Sequence, residues 1–369
     1  MTGFLTVLLW CIAMAQLSFT ADAVASEKID AIFAGFESND APGAAVLVIR
    51  DGKLVFRQGY GVADIRSRSK IDEHTNFRLA SVSKQFTAMA VMLLVHDGKL
   101  HYEDRLTQIF PDFPAYGNSI TIRNLLNHTS GLLDYEDLMP KPYGMDAQGN
   151  LKQIQDLEVL NLLKKQTRTK FVPGSRWDYS NSGYVVQGQV VEKVSGESFG
   201  NFLHDRIFAT LGMDHTIAYQ RGKNEVSNRA YGYTKQGDAW VETDQSPTSA
   251  TLGDGGIYSS LADLAKWDAA LQHHTLLSES EMQPAFTPVQ APGVQEPNGK
   301  PAAYGFGWFL NPYKGHRRMW HYGETVGFRT TIQRFPDDHL TIIVLCNRAG
   351  VVPKDLALKI ADLFLAADR

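Results

Sequence analysis

Cysteine is nearly absent: Cys11 and Cys346 are the only two among 369 residues. If the N-terminal segment is removed, Cys346 alone remains and no intrachain disulfide can form, so the fold must rest on its core. Cys346 lies in the apolar run Leu340 to Cys346 and reads as a small buried hydrophobe. Excess positive charge is missing too. Against 40 Asp and Glu there are 36 Lys and Arg, giving a net charge of −4 and an isoelectric point near 6.3, which offers no basic footprint for nucleic acid. There is no HExxH and no CxxC, and the spacing of His316 and His321 does not stack them on one helical face, so neither a metal nor a cofactor is expected. The Gly253-Asp254-Gly255-Gly256 stretch lacks the Lys-Ser/Thr of a phosphate loop and reads as a turn.

What is present is an ordinary globular composition, 44% apolar and 21% charged, in a chain long enough for two subdomains around a large core. Gly3 to Phe19 form an apolar run followed by small residues at alternate positions in Thr20 to Ser26. Residues 1–25 are therefore expected to be a signal peptide, and the mature protein to be exported, periplasmic or secreted, without a stable membrane anchor. No Lys or Arg precedes the run, which leaves an uncleaved anchor helix as the alternative. The bulky Trp10 before Cys11 argues against lipid attachment.

Ser26 with Ile29, Ile32, Phe33 and Phe36 predicts a capped amphipathic helix. Ala44 to Ile49, a turn at Asp51-Gly52, and Leu54 to Gln58 predict a β-hairpin. The same pattern returns as Phe328 to Phe335, a turn at Pro336 to Asp338, and Leu340 to Cys346, before an amphipathic helix from about Pro353 to Ala366. Hairpins at both ends suggest one antiparallel sheet, an α+β fold with 26–75 and 304–369 forming a sheet domain and 76–303 a mainly helical one. Helices are expected near Ile120 to Asn127, Gly183 to Val194, Phe199 to Leu211, and from Ser260, where Ser260 and Asp263 have the form of a capping box. Two stretches without periodicity, Glu136 to Gln153 and Pro284 to Ala302, read as site-shaping loops.

The chemistry centres on Ser81-Val82-Ser83-Lys84, which opens the apolar run Phe86 to Val95. That run is apolar all round and roughly half the length a bilayer needs, so it reads as a core helix. Ser81 and Lys84 at i and i+3 share a face. A lysine desolvated there has its pKa lowered toward the work of a base for the serine hydroxyl. Ser67-Arg68-Ser69-Lys70 has the same letters but no apolar helix behind it. Tyr179-Ser180-Asn181 offers a phenol for proton transfer, if cations lower it, and an amide for a substrate carbonyl. Tyr116-Gly117-Asn118 matches by letter in a proline-flanked turn. His321-Tyr322-Gly323 joins a histidine to a glycine that permits close backbone approach, whereas His96-Asp97-Gly98 reads as a helix end. Gly196-Glu197-Ser198-Phe199-Gly200 spells a nucleophile elbow, but helix rather than strand precedes it, so Ser198 reads as an N-cap.

Ser81-x-x-Lys84, Tyr179-x-Asn181 and His321-x-Gly323, in this order, resemble the class C β-lactamases and their penicillin-binding-protein-like relatives. Asn127-His128-Thr129-Ser130-Gly131 and Gly253 to Ser260 also look like typical segments of that group, and the likeness runs from about Pro42 to Cys346. The resemblance implies a sheet domain from both termini, a helical domain, and a site in the cleft between them. It implies Ser81 as nucleophile, Lys84 and Tyr179 as proton carriers, Asn181 as a substrate ligand, His321 completing the electrostatics, and an oxyanion hole at the N–H groups of Ser81 and Glu324, the residue after Gly323. Efficient class C enzymes carry Lys where His321 stands, which favours a peptidase or esterase over a true β-lactamase. The expected partner is a small-molecule or peptide substrate. The reading from another class is a non-catalytic sensor of β-lactams or peptides with the same fold.

Overall fold

The computed structural model describes residues 25–365, apart from 142, 146–148 and 150. The signal-peptide expectation therefore lies outside the described residues. Among these, no helix is long and apolar enough to cross a membrane.

The main sheet has five antiparallel strands: β1 (Ala44–Arg50), β2 (Lys53–Tyr60), β3 (Met319–Thr325), β4 (Phe328–Phe335) and β5 (Leu340–Cys346), in the order β3-β4-β5-β1-β2. The two chain ends meet where Ala44 pairs with Cys346 and Arg50 with Leu340. Asp51 (φ 52°) and Gly52 (φ 69°) turn the first hairpin, the left-handed pair that a two-residue hairpin loop requires. β1 and β5 read as continuous apolar runs because both of their faces are covered. On one face Ala45, Leu47, Ile49, Ile343 and Leu345 join the core of the helical region. On the other, Ala44, Val46, Val48, Ile342 and Val344 pack with Ile29 and Phe33 of α1 (residues 25–33) and Ala357 and Ile360 of the C-terminal helix Pro353–Ala361. Cys346 is fully buried in that second layer as a free thiol.

The apolar run forms α2 (Lys84–His96), buried from Lys84 to Leu94. A 3₁₀ turn, Ala80–Ser83, precedes it, so Ser81 lies one turn before the α-helix rather than within it. The helix Ile122–Leu126 is shorter than expected and is capped reciprocally by Thr121 and Asn124. α3 (Asn181–Ser195) starts at the Ser180 cap and ends at Gly196, whose φ of +80° stops it. Ser198 caps Phe199–Leu203, and a π turn, His204–Phe208, then interrupts the expected run to Leu211. Ser260 caps Leu261–Gln272, but the carboxylate of Asp263 bonds to the His215 amide and the Thr216 hydroxyl, so the capping box is one-sided. The C-terminal helix ends at Ala361. Each expected loop contains a helical turn, Tyr135–Leu138 and Gln283–Phe286.

Candidate active site

The site forms where the 3₁₀ turn before α2 meets the edge strand β3. Gly323 fits against Leu79 and Ala80 so tightly that an added Cβ would stand 2.1 Å from the Leu79 carbonyl oxygen and 3.1 Å from the Ala80 Cβ. That carbonyl also accepts the Thr330 hydroxyl at 2.7 Å. Ala80 takes φ +49°, unusual for an L-residue, as the chain turns into Ser81. Two strands and a strained turn thus fix the backbone that presents the serine.

Lys84 is fully buried, and its ammonium has three partners. Nζ donates to Ser81 Oγ at 3.1 Å, to Asn181 Oδ1 at 2.9 Å and to the Asp254 carbonyl at 2.8 Å. Burial lowers its pKa from 10.5 to about 8, opposed by the charges of Asp254, Glu136 and Asp134. Of the three partners, only Ser81 owns a proton it can give; the other two are oxygen acceptors. Once neutral, the amine keeps both carbonyl bonds and turns its lone pair to the serine hydroxyl.

Tyr179 places its ring 5.0 Å from Lys84 Nζ. Among the described residues its buried hydroxyl oxygen makes no complete hydrogen bond, although the nearby Ser81 favours the ionised form. Burial dominates and pushes the phenol well above 10. The expectation that cations lower Tyr179 is thereby corrected: desolvation dominates, and the residue stays a protonated phenol.

His321 is also fully buried. Its Nδ1 lies 2.7 Å from the Tyr322 carbonyl and its Nε2 3.2 Å from the Tyr304 hydroxyl. Nδ1 therefore carries the proton and Nε2 accepts. Burial first, and the charge on Lys84 second, lower its pKa to about 3. The ring is neutral, both nitrogens are bonded, and its centroid lies 6.3 Å from that of the Tyr179 ring.

Asn181 uses Oδ1 on Lys84, and its amide donates to Glu136, leaving one amide hydrogen for a ligand. Glu324 is on β3 with its carboxylate 2.9 Å from Arg329. A cavity of about 370 Å³ opens along that edge between β3 and the start of the C-terminal helix, lined by Tyr322, Glu324, Val352 and Lys354 among others, and Ser81, Lys84 and Tyr179 do not line it. No group of three or more metal-ligating side chains occurs among the described residues.

The letter matches elsewhere are structural. Ser67 and Lys70 are exposed, with Lys70 bonded to Asn39. The Tyr116 hydroxyl donates to the Leu163 carbonyl, and His96 pairs with Glu281 at the end of α2. Sequence reasoning missed Asp254, read only as part of a turn, Tyr304, inside no motif, and His128, quoted only within a typical segment.

The Beta-lactamase family model matches residues 29–367. The chain belongs to the Beta-lactamase family. It is 33% identical over 316 residues to Penicillin-binding protein 4* of Bacillus subtilis, covering 82% of this chain and 67% of that relative. Among solved structures it is similar to the octameric penicillin-binding protein homologue from Pyrococcus abyssi (TM-score 0.77, 25% identity, 93% of this chain and 77% of that one). The D-amino acid amidase from Ochrobactrum anthropi SV3, complexed with L-phenylalanine amide, shares the fold (TM-score 0.74, 24% identity, 90% and 97%). This family of penicillin-binding-protein-like serine hydrolases is the one that the three motifs resemble.

Proposed function

We propose that the protein is an exported serine hydrolase that forms an acyl-enzyme on an ester, an amide or a D-amino-acid peptide bond. The observation that carries this reading is the buried Lys84, bonded to two pure acceptors and one hydroxyl. In the first step the neutral amine takes the Ser81 proton as Oγ bonds to the substrate carbonyl carbon. The oxygen of the tetrahedral intermediate takes the negative charge and is held by the N–H groups of Ser81 and Glu324. Tyr179 gives its proton to the departing oxygen or nitrogen as the scissile bond breaks, and the Lys84 ammonium restores it. Water then repeats the sequence on the ester, with Lys84 again as base, and frees Ser81.

The neutral His321 supports peptidase or esterase chemistry over strong β-lactamase action, since it provides no cation for a substrate carboxylate. The apolar run Gly3 to Phe19 supports export. The test is a time course with a chromogenic ester, a D-peptide and a β-lactam, read by intact-protein mass and product release. A transient adduct with many turnovers on the ester or peptide is expected. A permanent adduct on every substrate would overturn the hydrolase in favour of a sensor, and rapid turnover of the β-lactam alone would make it a β-lactamase.

A further inference from the structure

His128 has no part in the chemistry above, yet it holds the site's tyrosine from two sides. It is fully buried, just after the helix Ile122–Leu126, with φ +61°. Its carbonyl accepts the Asp178 amide at 2.9 Å and its Nδ1 accepts the Ser180 amide at 3.1 Å. These two bonds bracket Tyr179. The imidazole also lies against the Tyr179 ring, with centroids 4.3 Å apart, and its other sides meet Tyr304 at 4.7 Å and Tyr184 at 5.0 Å. Tyr304 in turn bonds to His321.

Because Nδ1 accepts, the neutral ring carries its proton on Nε2. Among the described residues that Nε2 is buried without a partner, a cost an apolar side chain of similar size would avoid. Phe or Leu would fill the space, but neither offers a lone pair to the Ser180 amide. The imidazole thus supplies an acceptor and a ring together.

We propose that His128 is a positioning residue for the hydrolase: its Nδ1 lone pair and its ring fix the Tyr179 phenol beside Ser81 and Lys84. This rests on the assignment of Ser81, Lys84 and Tyr179 as the reacting groups. His128 itself touches no substrate.

The test is a double-mutant cycle on the rate of acylation by a chromogenic ester, followed by intact mass and first-turnover release. His128→Asn keeps a short acceptor and tolerates the left-handed backbone, but loses the ring. His128→Phe keeps a ring and loses the acceptor. Each is expected to slow acylation by about ten- to a hundredfold with substrate affinity little changed. In a Tyr179→Phe background the further loss should be under about twofold, because the group being positioned is gone. Equal losses in both backgrounds, or a His128→Asn enzyme as fast as wild type, would overturn the proposal. If thermal unfolding shows that His128→Phe does not fold, His128→Asn completes the cycle alone. Ser81→Ala is run in parallel. An adduct on Ser81→Ala sinks the site assignment itself, whereas its absence together with an additive cycle sinks only the role of His128.

Discussion

The base assigned to Lys84 has a pH signature that the structure quantifies. Burial brings its pKa from 10.5 to about 8. At pH 7 about one amine in ten is then free of its proton, against about one in three thousand for a solvated lysine. Acylation by free enzyme should therefore rise about tenfold between pH 7 and pH 9 and level off above that. The same shift has a stability sign. The folded chain holds this proton less tightly than the unfolded chain, so the unfolded state binds more protons between pH 8 and 10.5 and stability rises with pH across that window. At roughly 1.4 kcal/mol per unit, the penalty carried at pH 7 is about 3 kcal/mol. First-turnover kinetics on a chromogenic ester from pH 6 to 10, with urea unfolding at pH 7.5 and 9.5, read both effects. Lys84→Met should lose acylation and lose this pH dependence of stability. An acylation rate that is flat across pH 7 to 9, or a wild-type stability that does not rise from pH 7.5 to 9.5 relative to Lys84→Met, would refute the reasoning.

Gly323→Ala should lower acylation at least a hundredfold, since its Cβ would overlap the Leu79 carbonyl and push β3 from Ser81; retained activity in a steady-state assay would contradict the fit. His321, with its pKa near 3, should stay neutral to pH 5 in imidazole nitrogen NMR, and a titration near pH 6.5 would show that it is wetter than described. Asp156 accepts the Leu252 and Gly253 amides below the turn that carries the Asp254 carbonyl. Asp156→Ala should cost about 2–4 kcal/mol in denaturant unfolding and slow acylation, and an unchanged midpoint would dismiss that brace. Ser198→Ala should lose about 1 kcal/mol of helix capping and leave ester turnover intact.

The burial of Lys84 beside Ser81 was legible in the sequence because an apolar run follows the pair, although an N-cap serine with a solvated first-turn lysine would carry the same letters. The hairpins were legible for a similar reason: alternation and turn residues fix β1, β2, β4 and β5 locally, and two-sided burial explains their unbroken apolar runs. The third ligand of Lys84 was not legible. It is the backbone carbonyl of Asp254, and a carbonyl has no residue signature. Tyr179 was read as a phenol open to lowering by cations, but its burial is tertiary and raises it. His128 was hidden because its role depends on a left-handed backbone that aims Nδ1 at a residue 52 positions away. Tyr304, which orients His321, stands just past a loop that gave no periodic signal.

The central claim is that one hydroxyl, made nucleophilic by a buried amine, carries the acyl group. Peptide mapping by mass spectrometry after brief exposure to an acylating ester tests it most directly. The acyl group should appear on the peptide containing Ser81, and it should be absent from Ser81→Ala and from Lys84→Met at pH 7. An acyl group found on Ser198, Ser67 or any other residue, or equal labelling of Ser81 without the amine, would contradict the account.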